Sequence, residues 1–98
     1  MIKVISGYKL KEGADIQPVL LKLRSHAMTY RGFVGAENLI NAKDISIVAI
    51  ISTWEDVENW QAWETSTARR EILREAEPLL EEELRITIYK IMPTVRWR

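Results

Sequence analysis

Apolar residues recur along this chain at two alternating periods. The stretch from Ile2 to Leu10 is rich in β-branched and aromatic residues and predicts a strand, punctuated by Glu12-Gly13. Asp15 is a candidate N-cap, and Pro18 is tolerated in a first helical turn, where no backbone N–H is needed. Ile16, Val19, Leu20, Leu23, Ala27 and Tyr30 then fall at helical spacing, so a helix runs to about Tyr30 and ends at Arg31-Gly32. Phe33 to Ile40 predicts a second strand, Asn41 to Asp44 a hairpin turn, and Ile45 to Thr53 a third strand. Asp56 caps a short helix through Trp63, and Ser66 or Thr67 caps another to about Glu77. Pro78 disfavours regular helix beyond it, which leaves Leu79 to Glu83 as a loose turn before a fourth strand from Leu84 to Met92. The tail from Pro93 to Arg98 holds Trp97 between two arginines.

The resulting order, β-α-β-β-α-β, is that of a ferredoxin-like sandwich. The fold class is therefore α+β, one domain over residues 1–98, with a four-stranded antiparallel sheet whose first and third strands are central. In a sheet with helices on one face and water on the other, apolar and polar residues should alternate. The third strand does not alternate: Ile47, Ala49 and Ile51 point one way, Val48 and Ile50 the other. The fourth repeats this, with Leu84, Ile86 and Ile88 set against Tyr89 and Ile91. The second face must therefore be covered, and a second copy of the chain is the simplest cover. A homodimer of this kind can enclose a small cavity.

Composition narrows the chemistry. Lysine and arginine balance aspartate and glutamate at 14 each, so nothing favours nucleic acid or an acidic membrane surface. With no cysteine, disulfides, thiolate catalysis and cysteine-held metals are excluded. The amino terminus lacks the order of a signal peptide, and no apolar run approaches the ~20 residues of a membrane span. A cytoplasmic protein without a membrane partner is expected.

Three of the four tryptophans, Trp54, Trp60 and Trp63, fall where the third strand turns into a helix. Such a cluster marks either the main core or the wall of a ligand cavity. With it, Arg31 to Glu37 (RGFVGAE), Thr53-Trp54-Glu55 and Trp63 to Ser66 (WETS) resemble the antibiotic biosynthesis monooxygenase family. The resemblance implies a dimeric α+β barrel of ferredoxin-like protomers. It also implies cofactor-free oxygenation of aromatic substrates that themselves supply electrons to oxygen. Haem-degrading relatives use an Asn on the first strand, a Trp after the third strand and a ligating His. Trp63 matches the Trp, but Ser6-Gly7 stands where the Asn would be, and Arg69 to Leu73 holds no His.

Each candidate residue has a plainer reading beside the functional one. Trp63 is either core or an aromatic wall against a flat substrate, and Trp60 and Trp54 are core candidates. His26, the only histidine, shares a helical face with Leu23 and Tyr30; it is a hydrogen-bonded rim residue or a general base. It has no partner at metal-ligand spacing, so no metal is expected. Simple alternation places Glu37 with Phe33, Gly35 and Leu39 on one face of the second strand, and Asn38 with Val34, Ala36 and Ile40 on the other. One of the two should orient a substrate or sit at a dimer rim. Tyr8 is a strand aromatic that could touch a ligand. The run Arg69-Arg70-Glu71 reads as a solvated helix face.

The function expected is a cofactor-independent monooxygenase acting on an aromatic or quinone-like small molecule. Catalysis would fall to His26, Asn38 and Trp63, and substrate binding to Tyr8, Glu37 and Trp60. The alternatives are a non-catalytic small-ligand-binding dimer of the same fold and a haem-binding or haem-degrading protein.

Overall fold

The computed structural model describes residues 1–93. The reading of Trp97 lies outside the described residues. The elements run β1 (Ile2–Lys9), α1 (Gln17–Ala27), β2 (Phe33–Ile40), β3 (Ile47–Trp54), α2 (Val57–Glu64), α3 (Thr67–Ala76), a short 3-10 turn (Glu77–Leu79) and β4 (Arg85–Lys90). All strand pairs are antiparallel, in the order β2-β3-β1-β4, so β1 and β3 are central as the pattern predicts.

Local chemistry sets the boundaries. Asp56 and Ser66 cap α2 and α3 with their side chains, accepting from the backbone N–H of Asn59 at 2.8 Å and of Arg69 at 3.2 Å. Asp15 does not cap α1. Ile16 occupies that position without a side-chain bond, and the Asp15 carboxylate instead accepts from Gln17 N–H at 3.0 Å. β3 begins two residues later than the apolar run suggests, because the turn keeps Ile45 and Ser46. Asn41 Oδ1 accepts from the N–H groups of Lys43 and Asp44, and Asp44 Oδ1 from those of Ser46 at its N–H and hydroxyl. The Ser46 hydroxyl, its N–H and then Lys9 hold the Asp44 carboxyl below its ordinary range.

The three helices lie on one face of the sheet. Val4 and Tyr8 of β1 and Val48 and Trp54 of β3 meet Val19, Leu20 and Leu23 of α1, Trp60 and Trp63 of α2, and Ile72 of α3 in a single core. The other face carries Ile5, Ala49, Ile51, Leu39, Ile47 and Tyr89, as the registers require. Leu39 is 42% exposed and Tyr89 54%. β4 ends at Lys90 rather than Met92, and Ile91 adds one bond from its N–H to Met1 O at 3.2 Å.

β2 departs from simple alternation. Phe33 pairs with Trp54 but Gly35 with Thr53, so Val34 is the extra residue of a bulge. The shift places Phe33 on the same face as Ala36 and Asn38, not with Glu37 and Leu39. A one-residue slip moves every later side chain to the opposite face.

Candidate functional site

Between helices and sheet lies a cavity of about 50 Å³. Its floor comes from β1 (Ser6, Tyr8), β3 (Ile50, Ser52, Trp54) and β2 (Phe33, Ala36, Asn38); its roof comes from α1, α2 and Arg69 of α3. Four of the six residues singled out from sequence, Tyr8, Asn38, Trp60 and Trp63, line this one space. The structure does not bring the other two there. His26 is exposed on α1, with Nδ1 2.9 Å from Lys22 O. Glu37 is exposed and lies on the opposite sheet face from Asn38.

Trp63 is held at the wall by the Asp56 cap and by Tyr30, whose ring meets it edge-on at 5.2 Å. Trp54 is fixed more tightly. Phe33 packs edge-on at 5.3 Å, and Nε1–H donates to Ser52 Oγ at 3.1 Å. By contrast, the Tyr8 hydroxyl and the indole N–H groups of Trp60 and Trp63 have no hydrogen-bond partner among the described residues. No fully enclosed polar side-chain atom is left unpaired there. These three donors therefore open onto space that a water or ligand can reach. Burial pushes the Tyr8 hydroxyl up to about 12, with Arg69 partly opposing, so Tyr8 stays a protonated donor at neutral pH.

Sequence reasoning missed Ser6, Ser52, Arg24 and Arg69. Arg69 is half-buried, not part of a solvated face, and the desolvation pulls its guanidinium pKa down. A signal was present: Arg69 stands three and seven residues before the buried Ile72 and Ala76, on the inner stripe of α3. Likewise Arg24 stands four residues after Leu20 and three before Ala27. Its Nη2 donates to Ala36 O at 2.8 Å, tying α1 to the edge strand β2 above the cavity.

The cavity's volume is room for a few waters, far below the roughly 300–1,000 Å³ of typical ligand sites. An open hollow of about 670 Å³ adjoins it between α1 and β2, sharing Leu20, Arg24 and Asn38. Arg24 and Asn38 thus stand at the boundary where a larger molecule would enter.

No protein-family model and no curated protein matches the sequence. Solved structures do. A conserved protein from Methanosarcina mazei superposes with TM-score 0.83 at 18% identity, covering 91% of this chain and 90% of that one. A structure named antibiotic biosynthesis monooxygenase superposes at 0.84 and 15% identity, covering 95% and 100%. SnoaB, a cofactor-independent oxygenase from Streptomyces nogalater, superposes at 0.84 and 12% identity, covering 96% and 95%. The chain has the ferredoxin-like α+β fold of solved proteins named antibiotic biosynthesis monooxygenases.

Proposed function

We propose that the chain is a member of the antibiotic biosynthesis monooxygenase family and oxygenates an aromatic or quinone-like small molecule without a bound cofactor. The observation that carries this reading is the cavity itself, where Trp63, Trp60, Tyr8 and Asn38 converge between helices and sheet. The substrate would lie against Trp63, with Asn38 and the Tyr8 hydroxyl donating to its oxygens. An activated methylene carbon would lose a proton, pass electrons to dioxygen and become a carbonyl, releasing one water. The cavity's donors favour the deprotonated substrate over the neutral one.

Oxygen uptake with a panel of anthrones and hydroquinones tests this. Consumption above the rate without protein is expected, reduced at least ~10-fold in Trp63→Phe while that variant, with Trp63 buried, loses some stability but stays folded. A second reading is supported by a specific observation: among the described residues no carboxylate or imidazole lines the cavity to act as a base. A non-catalytic ligand-binding protein of the same fold would bind panel members and consume no oxygen. That result would replace the oxygenase reading.

The apolar open face of the sheet supports a homodimer. A second copy presents the same residues, so pairing is self-complementary. Burying side chains such as Ile51, Leu39 and Tyr89 contributes roughly 1.5–3 kcal/mol each before ordering costs. Sedimentation at micromolar concentration should show one species near twice the 11.4 kDa chain mass. A single species at the chain mass would rule the dimer out.

A further inference from the structure

The charge of the cavity lining is one-sided. Two guanidinium groups reach it, Arg24 from α1 and Arg69 from α3, and among the described residues no acid does. Arg24 is already engaged by Ala36 O. Arg69 is not comparably satisfied. The ion pairs among the described residues are Lys9–Asp44, Lys22–Glu75 and Arg85–Glu82, and none includes it. Among the described residues its one side-chain bond is long, Nη1 to Glu64 O at 3.5 Å, and the Glu64 carboxylate acts on it only from beyond ion-pair distance.

Arg69 lies where two helix ends meet: its Nη1 reaches the carbonyl of Glu64, the last residue of α2, an end that favours a cation. It sits in the first turn of α3, where the helix dipole favours negative charge, and that turn contains no acid. A half-buried cation without a close counter-ion costs stability unless something pairs with it. The Tyr8 hydroxyl lies close enough for Arg69 to act on it. It is a protonated donor without a protein acceptor among the described residues.

We propose that the cavity takes its ligand as an anion: a flat aromatic molecule with a carboxylate or ionised hydroxyl, whose oxygen sits on Arg69 while the Tyr8 hydroxyl donates beside it. This inference rests on the reading of the cavity as the ligand site. The ring lies mainly in the adjoining hollow of about 670 Å³, entering past Arg24 and Asn38 towards the tryptophan wall, and the two donors select its charged edge. A guanidinium matches an oxyanion in geometry as well as charge.

Calorimetry with two matched pairs tests the idea. One pair is 2-naphthoate and 2-naphthamide; the other is 2-hydroxy-1,4-naphthoquinone, ionised at neutral pH, and its neutral 2-methoxy counterpart. In at least one pair the anion should bind about 10-fold or more tighter than its neutral mate, and the pair that shows this distinguishes carboxylate from ionised hydroxyl. Arg69→Gln should remove most of that preference, weakening the anion far more than its neutral mate, and Arg69→Lys should restore part of it. Should Arg69→Gln fail to fold, the Arg69 side-chain N–H resonances of the wild-type protein serve instead. They should shift with the anion and not with its neutral mate. Equal binding within both pairs, or a preference that survives Arg69→Gln, overturns the inference and leaves the cavity as a ligand site. If none of the four binds, the cavity reading falls and the inference with it.

Discussion

Trp54→Ala should lower stability more than any other single truncation in this chain. Trp54 is 1% exposed, the largest fully buried side chain among the described residues. It closes the end of the sheet where β1, β2 and β3 meet, opposite Ile2 on one side and Phe33 on the other. Its removal deletes the indole, the edge-on contact with Phe33 and the bond to Ser52, and leaves a void that the sheet cannot collapse to fill. Such truncations cost roughly 3–5 kcal/mol. For a domain this small that is a fall in melting temperature on the order of 15–30 °C. Thermal unfolding at fixed protein concentration measures it. A loss below about 1.5 kcal/mol would show that the surroundings rearrange and that Trp54 is not the anchor of the core.

Gly32→Ala is the second large effect, and it comes from backbone and packing together. Gly32 has φ +85°, a left-handed conformation that costs other residues about 1–2 kcal/mol. A Cβ placed there meets the Asn59 side chain and comes within 2.6 Å of Asn59 Cβ, so a new rotamer alone cannot relieve the overlap. Overpacking adds about 1–3 kcal/mol, for an expected total of about 2–5 kcal/mol. Gly13→Ala separates the two contributions. Gly13 has φ +75° but nothing within 4 Å of a new Cβ, so its loss should be confined to the backbone term. Asn59→Gly should be mildly destabilising alone yet recover part of the Gly32→Ala loss in the double variant. Urea unfolding of the four variants decides. Equal losses for Gly32→Ala and Gly13→Ala would remove Asn59 as the cause.

Much of this architecture was legible in the sequence, for identifiable reasons. The limits of β2 and the Asp56 and Ser66 caps rest on short-range signals, namely apolar periodicity and cap chemistry, and the central place of β1 and β3 follows from the element order; the end of α1 did not follow Gly32, since the helix stops at Ala27 with Met28 as its cap, short of Tyr30. The bulge at Val34 was not legible, because it depends on how β2 meets β3. Alternation alone therefore placed Phe33 with Glu37, although the structure aligns it with Asn38. At the site, the tryptophans drew attention by type, and so did Tyr8 and Asn38. The two arginines did not, since a charged helical residue is ordinarily solvated. Only its register with Ile72 and Ala76 places Arg69 inward. His26 drew attention as the lone histidine, yet Lys22 O engages its ring on the outside of α1.

The sheet order has a consequence for how the chain is made. β1, the first strand synthesised, is central. One of its neighbours, β4, is the last of these four: Ile2 pairs with Lys90, and Gly7 with Arg85. Of the three strand pairings only β2 with β3 is a local hairpin, so the others must close long loops before their contacts contribute. Until β4 has left the ribosome, a strand carrying Ile2, Val4 and Ile5 has one edge without its partner. Nascent chains of this topology expose such an edge to one another, which makes the interval before β4 emerges the one most open to aggregation.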